Sequence, residues 1–184
     1  MEPNDLLRFL AEVLERLGLN YLVTGSMASM AYGEPRYTND IDVVVHLPAE
    51  RVAEFCAAFP QDSFYVSAAA AADAVRLRHQ FNIIHPKAGL KIDVIIASDS
   101  AFDQSRFQRG QQLNVFPDRT VTFASPEDVI VKKMAYFREG GSDKHLRDIA
   151  GIVRVRGERL DRAYIAEWAG HLDLADIWQS IISG

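Results

Sequence analysis

Residues 21–45 read YLVTGSMASMAYGEPRYTNDIDVVV. The run from Asn20 to Thr24 predicts a short buried strand, which breaks at Gly25-Ser26. Residues 27–31 suit a helix, and Asp40 to His46 alternates apolar and acidic positions as a second strand does. The segment therefore predicts a strand, a glycine turn, a helix and a returning strand.

The glycine turn is a candidate site for an anion. Gly25 lets backbone N–H groups come close to a ligand, and the helix N-terminus that follows favours negative charge. The Ser26 hydroxyl adds a further donor. Such a dipeptide alone predicts only a turn, but the acids that follow it in this chain favour a pocket for triphosphate.

The second strand carries two carboxylates on one face. Asp40 and Asp42 are two residues apart, so their Cα atoms lie roughly 6.5–7 Å from each other. Two acids on an aliphatic strand repel unless a cation or a proton neutralises them. Mg²⁺ is the natural cation, because it prefers oxygen ligands shared between a few carboxylates and substrate phosphates. A solvated strand edge is the alternative, but Ile41 and the valines that follow favour a central strand.

A third acid lies in a later hairpin. Residues 80–85 and 90–97 predict two strands joined by the turn Pro86 to Gly89, and Asp93 is inside the second strand. On a strand next to Asp40 and Asp42, this carboxylate would complete a second metal site and take the proton from an attacking hydroxyl. The alternative is an exposed residue on a half-solvated hairpin.

The last third of the sequence predicts helices only. Ser125-Pro126 is a strong helix start with acids in the first turn, and the helix should run to about Arg138. Further helical segments follow from Ser142. We expect an α/β (α+β) fold with a mixed sheet flanked by helices, in which residues 1–124 form the catalytic core and residues 125–184 a helical subdomain packed on it.

Two segments of these helices carry candidate phosphate ligands. Lys132 and Lys133 are adjacent, so we expect at most one of them, Lys133, to face the pocket. Arg147 offers a fork for two phosphate oxygens. Arg147 and Asp148 have a structural interpretation as well, because Lys144 and Asp148 have the i,i+4 spacing of a helical ion pair.

Taken together, these motifs resemble the nucleotidyltransferase superfamily related to DNA polymerase β. Its signature is a glycine-serine turn, an Asp-x-Asp strand and a separate third acid, and Gly25-Ser26, Asp40-Ile41-Asp42 and Asp93 match it in order. The tail SPEDVIVKKMAYFREGGSDKHLRDIAGI is similar to the AbiEii-type branch of abortive-infection toxins. That branch often has a second glycine where this chain has Ser26, and its acceptor-binding portion is usually longer.

The resemblance implies a Mg²⁺-dependent enzyme that transfers a nucleoside monophosphate from an NTP such as ATP to an acceptor hydroxyl, releasing pyrophosphate. It leaves the acceptor open among an RNA such as tRNA, a protein and a small molecule, and it suggests a cognate antitoxin as partner. A catalytically silent binding module of the same fold is the alternative. The implied catalytic and metal-binding residues are Asp40, Asp42 and Asp93, and the implied nucleotide-binding residues are Gly25, Ser26, Lys133 and Arg147.

Composition excludes several other classes. The 184 residues are 48% hydrophobic and 24% charged, which predicts a folded globular chain rather than a disordered one. A net charge of −5 disfavours a protein that coats nucleic acid or anionic membrane. The single cysteine, Cys56, has no disulfide partner, and the start lacks a signal peptide. We expect a soluble cytoplasmic protein with no membrane partner.

Overall fold

A seven-stranded mixed sheet organises the structure, a computed structural model that describes residues 1–183. Gly184, the last residue of the predicted helical subdomain, lies outside the described residues. The strands are β1 (Tyr21–Thr24), β2 (Asp40–Val45), β3 (Tyr65–Val66), β4 (Gln80–His85), β5 (Leu90–Ile96), β6 (Gln111–Phe116) and β7 (Arg119–Phe123). Their spatial order is β3-β4-β5-β2-β1-β7-β6, so β2 is the central strand, as its aliphatic residues predict.

Helices surround this sheet, and every element after β7 is helical. They are α1 (Pro3–Arg16), α2 (Gly25–Tyr32), α3 (Val52–Ala57), α4 (Ala68–Leu77), α5 (Ala101–Gln108), α6 (Pro126–Gly140), α7 (Asp143–Arg156), α8 (Arg162–His171) and α9 (Ala175–Ser183). A 3-10 turn at Ala49–Arg51 precedes α3. The predicted α/β class with a mixed sheet is confirmed.

Local signals account for several of these elements. β4 and β5 pair antiparallel through the predicted turn at Pro86 to Gly89. The Ser125 side chain accepts a hydrogen bond from the backbone of Asp128, and Pro126 occupies the first helical position of α6. This cap satisfies a backbone N–H that the helix itself leaves without a partner.

Three elements were not predicted. β3 is a two-residue edge strand, α5 follows β5, and β6 pairs antiparallel with β7 at the opposite edge of the sheet. The start of α5 does carry a local signal, because the Ser100 side chain caps the backbone of Asp103. β6 has no buried residue and lacks the regular alternation of a strand with one buried face.

One hydrophobic core joins the sheet to the C-terminal helices. It contains residues of α1, the central strands, α6, α7 and α8 in one cluster, from Leu6 to Trp178. The core is therefore continuous across residue 125, and the division of the chain at that point stays a prediction. None of the helices in residues 1–183 has both the length and the apolar character that a bilayer crossing needs.

Candidate active site

Strand pairing brings the three predicted acids to one face of the sheet. β2 and β5 run parallel, and their register places Asp42 beside Asp93 and Asp40 beside Lys91. Asp40 and Asp42 share a face because side chains alternate along a strand. The Asp93 side chain is 12% exposed, whereas the Asp40 side chain is 52% exposed at the start of β2. The acids are thus neighbours, and the cluster runs from the protein surface inward.

Gly25 lets the Asp42 carboxylate approach the glycine turn. Its φ of +58° is a left-handed conformation that residues with a side chain rarely adopt. A Cβ atom on Gly25 would lie 1.8 Å from Oδ2 of Asp42, far inside the contact distance. The same residue thus makes the turn from β1 into α2 and leaves the space that the carboxylate occupies.

The ionised form of Asp42 is disfavoured in this position. Burial raises the pKa of this carboxyl, and the negative charge of Asp93 raises it further. The backbone of Ser26 and the charge of Lys133 act in the opposite direction without reversing the shift. Asp42 therefore carries a charge that the surrounding protein balances only in part.

Asp93 is held by two neighbours that the sequence did not single out. Asn82 lies opposite it on β4 and donates a hydrogen bond to Oδ1. Lys91 lies two residues earlier on β5 and places Nζ 2.9 Å from Oδ2. The spacing of Lys91 and Asp93, which puts both on one face of a strand, was a signal for this contact.

The three acids are of the type that binds magnesium, but their side chains are not positioned as a complete ion-binding site. Carboxylate oxygens are its preferred protein ligands, and magnesium commonly completes its shell with water and substrate phosphate. Within residues 1–183, no group of three or more acidic, histidine or cysteine side chains is arranged closely enough to hold an ion. The convergence of Asp40 and Asp42 on one ion stays a prediction.

Helix α6 forms the wall opposite the acids. Val129, Lys132, Lys133 and Tyr136 all border the cleft, because positions three and four residues apart share one face of a helix. The prediction that at most one of the two lysines faces the cleft is therefore wrong. Lys133 is 4% exposed and Lys132 is half-buried.

An ion-pair network links this wall to the glycine turn. Lys133 Nζ lies 2.6 Å from Oδ2 of Asp148, and Arg36 Nε lies 3.0 Å from Oδ1 of the same carboxylate. Arg36 also donates a hydrogen bond to the Ser26 hydroxyl. Asp148 thus pairs across the fold with Lys133 and Arg36, and not with Lys144 along its own helix. No local motif marked Arg36, because its contacts depend on tertiary packing.

Both ends of the Lys133–Asp148 pair have shifted pKa values. Burial lowers the pKa of Lys133, although the contact with Asp148 acts against that change. Burial acts to raise the pKa of Asp148, but hydrogen bonds from Lys133 and Arg36 outweigh it and hold this pKa below its ordinary value. Burial thus acts against the charged form of each partner, and the contact between the two side chains favours it.

Arg147 is placed outside the acid cleft. It is exposed on α7 and lines a neighbouring groove with Glu34, Arg36 and Lys144. The acid cleft itself has a volume of about 260 Å³. The structure brings together six of the seven predicted site residues, namely Gly25, Ser26, Asp40, Asp42, Asp93 and Lys133. It adds cleft residues that the sequence did not mark: Gln80, Tyr136, Lys144 and His145.

Replacing Asp148 with asparagine should destabilise the protein strongly. The substitution leaves Lys133 buried without its counter-ion, which costs about 3–5 kcal/mol. Because the pKa of Asp148 is lowered, its contribution is present above the ordinary aspartate range and is lost as the pH falls through the lowered value. Urea unfolding of both proteins should show a gap at neutral pH that narrows in acid.

Asp73→Asn is the matched control. Asp73 pairs with Arg76 on the surface, with both side chains 66% exposed, so its loss should change stability by less than about 1 kcal/mol. Equal losses for Asp148→Asn and Asp73→Asn would contradict the role of the buried pair.

Several solved structures share this fold. An antigenic nucleotidyltransferase-like protein from Paracoccidioides brasiliensis is 20% identical, with a TM-score of 0.54 over 95% of this chain and 91% of that chain. The antibiotic-resistance factor ANT(2'')-Ia is 17% identical, with a TM-score of 0.58 over 100% and 95%. The lincosamide antibiotic adenylyltransferase LnuA, bound to lincomycin, is 12% identical, with a TM-score of 0.57 over 84% and 98%. The fold is that of a nucleotidyltransferase.

The sequence identifies the family within this class. The family described as Nucleotidyl transferase AbiEii toxin, Type IV TA system, matches residues 8–177. The chain belongs to this family of toxin–antitoxin nucleotidyltransferases, as the motifs predict. A search of curated proteins found no match.

Proposed function

We propose that the protein transfers a nucleoside monophosphate from an NTP to an acceptor hydroxyl, with Mg²⁺ as cofactor and pyrophosphate as second product. The observation that carries this proposal is the cross-strand pair of Asp42 and Asp93 beside the Gly25 turn. Membership of the AbiEii family supports nucleotidyl transfer as the class of reaction.

The glycine turn is the proposed triphosphate site. Gly25 is the first residue of helix α2, so the N-terminus of this helix lies at the cleft. The free backbone N–H groups of a helix N-terminus favour an anion. Arg36 holds the Ser26 hydroxyl from the side, which fixes this edge of the cleft. Lys133 contributes positive charge from the opposite wall while Asp148 keeps it in place. Arg147, in the neighbouring groove, is proposed as a phosphate contact on sequence grounds alone.

The three acids are the proposed catalytic and metal-binding groups. Magnesium bound by Asp40, Asp42 and Asp93 would neutralise charge on the phosphates and favour their attack by a hydroxyl oxygen. Asp93 is the most buried of the acids and is the proposed acceptor of the hydroxyl proton. The bond between the acceptor oxygen and the α-phosphorus forms as the bond to the pyrophosphate oxygen breaks, so pyrophosphate leaves with the electron pair.

The acceptor and the partner follow from different observations. The family description names a type IV toxin–antitoxin system, which supports a cognate antitoxin as partner. ANT(2'')-Ia has a crystal structure in complex with adenylyl-2''-tobramycin, a small molecule that carries an adenylyl group. We therefore propose tRNA, a protein and a small hydroxylated molecule as acceptor classes to be compared. The single free cysteine supports a cytoplasmic location.

A label-transfer assay tests this function. The purified protein is incubated with Mg²⁺ and each of four α-labelled NTPs, with separate pools of tRNA, protein, aminoglycosides and lincosamides. We expect label in one pool, equimolar pyrophosphate release, and loss of both when EDTA removes the metal. Asp93→Asn should abolish transfer, because it removes the proposed proton acceptor.

Asp99→Asn serves as the control for this assay. Asp99 follows β5, and its side chain is 90% exposed, so the variant removes a nearby carboxylate from outside the cleft. It should retain full transfer. Transfer that persists in Asp93→Asn or in EDTA would overturn the proposed function.

A further inference from the structure

Lys91 lies within the acid cluster and contacts two of its members. Its Nζ atom is 2.9 Å from Oδ2 of Asp93 and 3.9 Å from Oδ1 of Asp40. The strand register explains the position, because Lys91 is the cross-strand partner of Asp40 and lies two residues before Asp93 on the same face of β5. The ammonium therefore sits between two carboxylates on neighbouring strands.

This contact places a positive charge directly on the Asp93 carboxylate. Asn82 donates to Oδ1, and Lys91 is bound to Oδ2. Each oxygen keeps a lone pair for a further ligand, but a divalent cation at Oδ2 would lie beside the Lys91 ammonium, and the two positive charges would repel. A metal ion at this oxygen therefore competes with Lys91 for the negative charge of Asp93.

Two other cations at the cleft, Lys133 and Lys132, have contacts away from Asp40 and Asp93. Lys133 is paired with Asp148 at 2.6 Å. The Lys132 ammonium lies 5.0 Å from the centre of the Tyr136 ring. Among residues 1–183, the ion pairs made by Asp40 and Asp93 both come from Lys91. Lys91 thus supplies the direct counter-charge of the acid cluster when divalent metal is absent.

We propose that Lys91 is a built-in competitor of the divalent cation. Its ammonium occupies Asp93 and Asp40 in the metal-free protein and opposes the binding of a metal ion there. The inference rests on the proposed function, in which these acids hold magnesium. Competition by Lys91 explains why Asp42 and Asp93 are neighbours in the strand register although the acid side chains do not form a complete ion-binding site.

Metal binding in the absence of nucleotide tests the competition. Mn²⁺ is titrated into the metal-free protein and the free ion is measured by electron paramagnetic resonance. Lys91→Gln keeps a polar side chain but removes the competing charge, so we expect Mn²⁺ to bind about five- to tenfold more tightly than to the wild type. Lys87→Gln is the control, because Lys87 is exposed in the turn before β5 and should leave the affinity unchanged.

Thermal unfolding is a second test, in which the metal-free Lys91→Gln protein should be less stable although it binds Mn²⁺ more tightly. In EDTA, Lys91→Gln should have a lower Tm than the wild type, because the acids then repel without a counter-charge. Saturating Mn²⁺ should raise its Tm by more than it raises that of the wild type. Lys91→Arg keeps the positive charge and can bind both oxygens of a carboxylate, so it should bind Mn²⁺ more weakly than the wild type.

The outcomes separate this inference from the proposed function. Unchanged Mn²⁺ affinity in Lys91→Gln and Lys91→Arg would overturn the competition if the wild type binds Mn²⁺ and Asp42→Asn does not. A lower Tm in Lys91→Gln without tighter Mn²⁺ binding would overturn it too, since Lys91 would then be only structural. A wild-type protein that binds no Mn²⁺, with or without NTP, would instead overturn the proposed metal site.

Discussion

Asp42→Asn should reduce nucleotidyl transfer by about a thousandfold and yet produce a slightly more stable protein. The first effect follows from the proposed loss of a metal ligand at the centre of the acid cluster. The second follows from the raised pKa of Asp42, which shows that the folded protein disfavours its charge. An amide of the same shape removes that charge and fits the same space.

The sign of the pH dependence is fixed by the direction of the shift. A carboxyl with a raised pKa in the folded state favours unfolding once the pH passes its ordinary value, because the unfolded chain then ionises more readily. The stability advantage of Asp42→Asn should therefore be absent in acid, grow as the pH rises through the raised pKa, and stay constant above it. At neutral pH we expect a gain of about 2–4 °C in Tm, corresponding to about 1 kcal/mol in a chain of this length.

Metal-free samples are needed for this measurement, since bound cation would stabilise the wild type alone. Differential scanning calorimetry in EDTA gives Tm as a function of pH, and the label-transfer assay gives activity. Asp62→Asn, at an exposed position, should change neither quantity. A destabilised Asp42→Asn protein, or one that keeps wild-type transfer, would contradict the account of Asp42.

The second large effect is expected for Gly25→Ala. The methyl group would overlap Oδ2 of Asp42 at 1.8 Å, and alanine is strained at a φ of +58°. We expect a loss of about 2–4 kcal/mol in the free energy of unfolding, together with loss of transfer as the carboxylate is pushed away.

Gly18→Ala separates backbone strain from the clash. Gly18 has a φ of +60°, but a Cβ atom there would meet nothing within 4 Å. Its alanine variant should lose only about 1 kcal/mol, the cost of the left-handed conformation. In the double variant Gly25→Ala with Asp42→Ala the carboxylate is gone, but the Cβ atom of residue 42 would still lie 2.8 Å from the new methyl group. Stability should therefore recover only part of the way to the level of Gly18→Ala, without activity. If Gly25→Ala were no less stable than Gly18→Ala, the close approach of Asp42 would be disproved.

Much of this arrangement could be predicted because its signals are local. The alternation of Asp40 and Asp42 with aliphatic residues predicts a central strand, and the turn at Pro86 to Gly89 predicts the hairpin that carries Asp93. The Ser125-Pro126 start predicts α6. The resemblance to a known family links these pieces in one order, and the family match and the fold confirm it.

Interactions that depend on strand register or tertiary packing could not be predicted in the same way. Arg36 reaches both Ser26 and Asp148, which are far apart in the sequence. The parallel register of β2 and β5 decides that Lys91 lies beside Asp40, and the sequence of neither strand specifies that register. The two lysines of α6 were misjudged for a different reason, since adjacent residues can belong to one broad helix face.

The pairing of Asp42 with Asp93 has an evolutionary consequence. Both residues belong to strands in the middle of the sheet, and backbone hydrogen bonds and aliphatic neighbours hold those strands whatever the two side chains are. One codon change from aspartate to asparagine would thus remove a proposed metal ligand and leave the fold and the outer surface in place. Folded descendants that lack the proposed chemistry should therefore arise readily.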